Sequence, residues 1–334
     1  MTITKKLNSI RQRMSELNED SVFINGRIRI ERKLKKFLFK IFRFVILAGI
    51  IYIILGPLIT IISRSFFADS DLYNPLVYLF PKEFTLEKYQ LALQRLNYLP
   101  VLAKTIIFDV TLMIIQVIIT SMTGYGFARY NFPFKKLLFG MVIVSIVIPT
   151  HTIMLPLYMT FRNFDLFGIF GAITGTGGVN LLSTHAPMYI MTLMGNGLRS
   201  GLYIYIFNQF FRGLPKEIEE AAYIDGAGPW YTYARIMLVN AMPSVITVSV
   251  FSMVWQYNDT FFAKLFSIGG NNAISMKIAS LHSTITYVDE IKDPLVAELY
   301  LYAGIVLTII PILIIYIALQ KYFMEGIERS GIVG

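Results

Sequence analysis

The chain is 334 residues long, 55% hydrophobic and only 15% charged, with a mean hydropathy of +0.59, whereas a soluble domain carries roughly 25% charged residues. It has no cysteine, which excludes disulfides, thiol chemistry and cysteine-ligated metals, and its three histidines, His151, His185 and His282, are too scattered for a local metal motif. Of the net charge of +9, twelve basic residues against four acidic ones place +8 before Phe44, directly ahead of the first apolar run. That position assigns the charge to membrane orientation and anionic lipid rather than to nucleic acid.

Taken in chain order, residues 1–43 form a basic arm expected in the cytoplasm. It is too polar for the apolar part of a signal peptide, so the uncharged run at 44–63, FVILAGIIYIILGPLITIIS, reads as a retained first span. The region 44–98 is this span with an external loop, and 99–326 is a core holding five more spans, followed by a cytoplasmic tail at 327–334. The second span is expected at 99–128, interrupted by Lys104 and Asp109, and the basic turn at 129–136 belongs inside. A third lies at 137–161, with Pro149 and Pro156 expected to kink its outer half, and the glycine-rich stretch at 168–182 is an external loop. The fourth is expected at 187–211 with Arg199 inside it, the fifth at 236–258 and the sixth at 299–320. Fold class is therefore an all-α integral membrane protein with six spans and both termini cytoplasmic.

Between spans four and five stands a cytoplasmic loop, 212–235, whose acidic character departs from its basic neighbours. It reads FFRGLPKEIEEAAYIDGAGPWYTYARIMLVNAMP from Phe210 to Pro243. Pro215 suits a helix start, where first-turn amides lack partners, and Asp225 with Gly226 suits its end. Ile218, Ala221 and Ala222 are expected on the apolar side of this short helix. One reading is a solvated connector lying on the membrane surface. The other takes Ala221 and Ala222, small and flanked by carboxylates, as a surface that another protein grips, placed where motion can pass into the bundle.

The order Glu220, Ala221, Ala222, Gly226, Ile236, Leu238 resembles the loop signature of the permeases of bacterial binding-protein-dependent ABC importers. The fuller IEEAAYIDGAG is similar to their carbohydrate-uptake branch, of the maltose-permease type. YGFARYNFPFKK at 125–136, IPTHTIMLPLYM at 148–159, WQYND at 255–259 and LQKYFMEG at 319–326 extend the likeness over about 99–326. This chain has Val239 where the family commonly has proline, and delays proline to Pro243. The resemblance implies a six-helix permease fold in the bacterial cytoplasmic membrane. It assigns Glu220, Ala221, Ala222, Asp225 and Gly226 to contact with a cytoplasmic ABC ATPase, which would bind the ATP and Mg. It also implies a second, homologous permease, an extracellular or periplasmic solute-binding protein, and a sugar or oligosaccharide as solute.

No catalytic, cofactor-binding or metal-ligating residue is expected in this chain, and no GxxxxGK[ST] phosphate loop is present. Charges inside spans are costly and face an interior, a cavity or a partner. Asp109 is thus either hydrated near the outer end of its span or turned inward. Arg199 either snorkels outward or lines a solute pathway together with Tyr203, where a guanidinium can donate hydrogen bonds to sugar hydroxyls. Two other function classes stand beside the importer reading: an ion-coupled secondary transporter, which calls for internal repeats with broken helices, and a structural or assembly membrane protein.

Overall fold

Apolar runs become helices because, away from water, each backbone donor must find its acceptor within its own segment. The computed structural model describes residues 33, 35–175, 177–269 and 273–331, with side chains as far as residue 320 except at 174 and 319. Most of the basic arm and the end of the tail lie outside the described residues. The chain divides into two units, one ending at Ile61 and the other beginning at Ile62. The expected span at 44–63 is part of a longer helix, α1 (Lys35–Arg64), which continues through Pro57 and past the end of the first unit.

The second unit is built from helices, with isolated antiparallel bridges at Phe67–Phe84 and Phe164–Val179. Two short helices, α2 (Asp69–Leu72) and α3 (Glu87–Leu96), lead into α4 (Tyr98–Arg129), the longest unbroken helix of the core before the final one. Its buried positions are Val101, Thr105, Asp109, Leu112, Gln116, Thr120, Ser121, Gly124 and Tyr125, spaced by three or four residues so that they form one face. That face is mostly small or polar. Ile107, Ile114 and Ile118 on the other side are exposed, the inverse of a water-soluble helix and the arrangement expected where lipid is the solvent. Gly124 lets α9 (Ser200–Gly213) approach closely: a Cβ there would meet the Phe207 Cβ at 2.6 Å and the Asn208 nitrogen at 3.0 Å.

Three expected spans are broken. The third becomes α5 (Lys135–Val147), a 3-10 turn (Thr150–Ile153) and α6 (Met154–Arg162), bent by 102°. Pro149 is the cause, because the residue before a proline is driven out of the helical region, and Ile148 is extended at φ −63°, ψ 123°. Pro156, also expected to kink, sits in the first turn of α6, where its missing donor is harmless. A small helix, α7 (Ile169–Thr174), lies in the glycine-rich loop, which is closed by paired backbone hydrogen bonds of 2.9 Å between Phe164 and Val179.

The fourth run is not one span at 187–211 but two helices, α8 (Ala186–Leu193) and α9. Asn196 N–H bonds to Met191 O at 2.8 Å and Gly195 N–H to Thr192 O at 3.1 Å, the paired bonds of a Schellman helix end. The fifth run begins in α11 (Pro229–Tyr231), a π turn (Thr232–Met237) and α12 (Leu238–Asn240). It then bends by 77° into α13 (Met242–Tyr257).

After α14 (Phe261–Leu265) and α15 (Ile274–Tyr287), the chain ends in α16 (Pro294–Gly331). Asp293 starts α16 by accepting the Leu295 N–H at 2.9 Å, with proline following at the first helical position. The fold is thus all-α and multi-span. Among the described residues three helices, α1, α4 and α16, are long and apolar enough to cross a membrane, or five spans if each bent pair counts as one.

Candidate functional site

The acidic segment between α9 and α13 forms the helix α10 (Glu217–Ile224). Leu214, ahead of Pro215, is extended at ψ 142° and ends α9. Glu217, Glu219 and Glu220 occupy the first turn of α10, where carboxylates suit the positive end of the helix dipole. At the other end Ala227 N–H bonds to Ala222 O at 2.9 Å and Gly226 N–H to Tyr223 O at 3.1 Å. Gly226 has φ +80°, a conformation that a side chain opposes. The turn read from Asp225 and Gly226 is therefore present.

The helix divides its residues between two faces differently from the expectation. Ile218, Glu219 and Ala222 point inward, whereas Glu217, Glu220, Ala221, Ile224 and Asp225 are exposed, as is Gly226. Ala221 and Ala222 thus lie on different faces, because adjacent residues on a helix are about 100° apart. The unforeseen inward residue is Glu219, 8% exposed. Its Oε1 accepts the Tyr125 hydroxyl at 2.5 Å, and its Oε2 lies 3.0 Å from Arg129 Nε. Arg129 also donates from a terminal nitrogen to Leu214 O at 2.8 Å. Behind these groups Tyr125 meets Phe211 and Tyr233 at ring distances of 5.3 and 5.2 Å. Ser121 and Tyr233 share a 2.8 Å hydrogen bond.

Arg199 does not lie within a continuous helix, because the expected span is broken between Leu193 and Ser200. It stands at the start of α9 with φ +61°, its guanidinium carbon 4.2 Å from the centre of the Trp255 ring, a cation–π contact. It lines a cavity of about 500 Å³ at the break of the third run, with His151, Asn196 and Ser200 among the other walls. Tyr203 is 0% exposed, packed among Tyr125, Phe207 and Phe211, so it offers no surface to a solute in this conformation. Asp109 is turned inward, 2% exposed, within electrostatic range of Asp259 and not paired with Arg199. Asp259 accepts the Phe262 and Ala263 N–H groups at 3.3 and 3.2 Å, capping α14. Burial pushes its carboxyl above the ordinary range despite those bonds.

Between the cavity and α10 lies a second group that composition alone does not mark. Gln116 of α4 donates to Leu198 O at 2.6 Å and to Ser200 Oγ at 3.1 Å. Its oxygen accepts Ser252 Oγ at 2.8 Å and Gln256 Nε2 at 2.9 Å. One side chain therefore serves the carbonyl freed by the break before α9 and ties α4 to α13. Among the described residues no three His, Asp or Glu side chains are grouped so as to hold a metal ion.

A profile of the family described as "binding-protein-dependent transport system inner membrane component" matches residues 116–329. A probable ABC transporter permease protein of Pyrococcus horikoshii is 27% identical, over 83% of this chain and 91% of its own. An arabinooligosaccharides transport system permease protein of Halalkalibacterium halodurans is 26% identical, over 86% and 94% respectively. Among solved structures, a bacterial ABC transporter involved in the import of the acidic polysaccharide alginate superposes with a TM-score of 0.65. It is 21% identical, over 86% of this chain and 96% of that one, a likeness of fold.

Proposed function

Because the chain belongs to the family of binding-protein-dependent transport system inner membrane components, we propose that it is one half of the membrane pathway of an ATP-driven oligosaccharide importer. In this reading α10 is the element on which a cytoplasmic ATPase docks. The observation that carries it is the division of α10: Ile218, Glu219 and Ala222 hold it to the chain, while Glu220, Ala221, Asp225 and Gly226 remain outward. A solvated connector needs no such anchored inner face. The family is one of non-catalytic permeases, so ATP and Mg are handled by the partner. A second permease completes the pathway, and a solute-binding protein delivers the solute.

An oligosaccharide is favoured by the arabinooligosaccharide relative, which the chain matches over nearly its whole length, and by the IEEAAYIDGAG motif of the maltose-permease type. The cavity lined by Arg199, Asn196, Ser200 and His151 together with apolar side chains is suited to such a solute, since polyhydroxylated rings are held by polar groups placed among apolar ones. Affinity capture of the tagged chain from native membranes is expected to bring down a P-loop ATPase and a second permease. Hydrolysis of ATP by the captured complex is expected to rise with a binding protein loaded with arabinotriose or maltotriose. A chain captured repeatedly without an ATPase would overturn the reading in favour of an assembly protein or an ion-coupled transporter.

The membrane topology proposed with it counts six crossings, the two helices α8 and α9 together forming the fourth, with both termini in the cytoplasm. Single cysteines in place of Gln90 and Ser280 should be labelled in intact cells by an impermeant maleimide, and one in place of Phe132 should be protected. The opposite pattern would invert the orientation and remove α10 from the cytoplasm.

A further inference from the structure

We infer that Glu219, together with Arg129 and Tyr125, is a positioning residue that fastens α10 to the end of α4, so that displacement of α10 is delivered into α4. The inference rests on the reading of α10 as the element facing the ATPase. The chain connections on either side of α10 are poor transmitters. Toward α9 it is joined through Gly213, Leu214 and Pro215, and toward α11 through Gly226, Ala227 and Gly228. A Cβ at Gly213, Gly226 or Gly228 would meet nothing within 4 Å, so no neighbouring element packs against these glycines to carry load through the links.

The side-chain connection is of another kind. Arg129 and Glu219 are 8% and 11% exposed in their side chains, and Tyr125 is 4% exposed. All the groups that meet here are buried, which makes the contact strong and costly to break. Arg129 also holds Leu214 O at 2.8 Å, so one side chain grips both the approach to α10 and its first turn. The Arg129 Nε to Glu219 Oε2 contact of 3.0 Å falls outside hydrogen-bond geometry. It acts through charge, while the directional bond comes from Tyr125. From Tyr125 the path continues along the inward face of α4 through Ser121 to Gln116, which holds the break before α9 and the helix α13. Motion at α10 is therefore expected to reach three helices through α4, rather than only the two that are its neighbours in sequence.

The test uses the full chain in its captured complex with the ATPase. A cysteine introduced by Ile118→Cys, the only cysteine in the chain, carries a nitroxide on the exposed side of α4. Its spectrum is compared in the nucleotide-free and ATP–vanadate-trapped states. In Glu219→Gln, which keeps shape and an acceptor for Tyr125 but loses the charge, the ATPase is expected to remain bound and to hydrolyse ATP. The trapped-state population at residue 118 is expected to fall about tenfold, a typical size for a coupling between sites. Retained hydrolysis with a lost response at α4 is a readout that a merely structural contact would not produce. A wild-type response in Glu219→Gln would overturn the inference and leave the docking reading intact. If that variant does not insert, Tyr125→Phe, which removes a single hydrogen bond, decides: a reduced trapped-state response supports the clasp and an unchanged one overturns it. Absence of an ATPase from the wild-type complex would instead overturn the docking reading.

Discussion

Replacing Ala221 with Trp is expected to weaken association with the ATPase strongly while leaving the chain folded and inserted. Ala221 is exposed in the middle of α10, so an indole there has nothing within the chain to displace. A protein that packs closely on this face would lose a central contact. Loss of such a contact commonly costs 2 kcal/mol or more, which corresponds to an affinity lowered by about thirtyfold. The adjacent variant separates docking from packing. Ala222 is 5% exposed, and Trp at that position would collide with the chain itself, so Ala222→Trp should reduce the yield of inserted protein. Both can be read by the amount of chain extracted from membranes and by the ATPase captured per chain. Normal capture and uptake with Trp at 221 would show that Glu220, Ala221, Asp225 and Gly226 do not form the docking face.

Replacing Gln116 with Leu is expected to be the most damaging single change in the interior of the bundle. The carbonyl of Leu198 and the Ser200 hydroxyl lose a donor, and Ser252 and Gln256 lose an acceptor. A buried polar group left without a partner costs about 1–3 kcal/mol. Within membranes the average is nearer 0.6 kcal/mol, because freed groups find other partners. Ser252 and Gln256 can fall back on their own 2.7 Å bond, whereas the Leu198 carbonyl has no such alternative among these groups. The net loss expected is about 2 kcal/mol. It should appear as a fall of several degrees in the unfolding midpoint of the detergent-solubilised chain. A midpoint equal to wild type would mean that the break before α9 is held by other contacts.

Much of this architecture is legible in the amino-acid order, and the parts that are not have identifiable causes. The runs at 44–63, 99–128 and 299–320 each lie within one helix, because length and hydropathy suffice where no terminator intervenes. The break before α9 was hidden by the same measure. Averaged hydropathy passes smoothly over Met194 to Arg199, although the spacing of Gly195 after Leu193 is a recognisable helix-end signal. Pro149 and Pro156 look alike in sequence, and only the start of α6 decides that one bends the chain and the other does not. The acidic helix and its Gly226 turn were readable. Which of its carboxylates turns inward was not, since Glu217, Glu219 and Glu220 are chemically equivalent until Arg129, 90 residues earlier in the chain, comes beside one of them.

The length of α4 has a consequence for the lipid in which the protein can work. With 32 residues it is about 48 Å long at 1.5 Å per residue, against a hydrocarbon thickness of about 30 Å. Even with a common tilt of about 20° it exceeds the bilayer by several residues. Its exposed side carries Leu99, Ile107, Ile114 and Ile118 in succession, so where this side meets lipid the boundary between hydrocarbon and headgroups can slide along the row as membrane thickness changes. Tyr125 and Arg129, beyond the last of these isoleucines, hold α10 through protein contacts alone. Adaptation to thin or thick bilayers should therefore be absorbed along the isoleucine row, leaving the junction with α10 undisturbed across membranes of differing acyl-chain length.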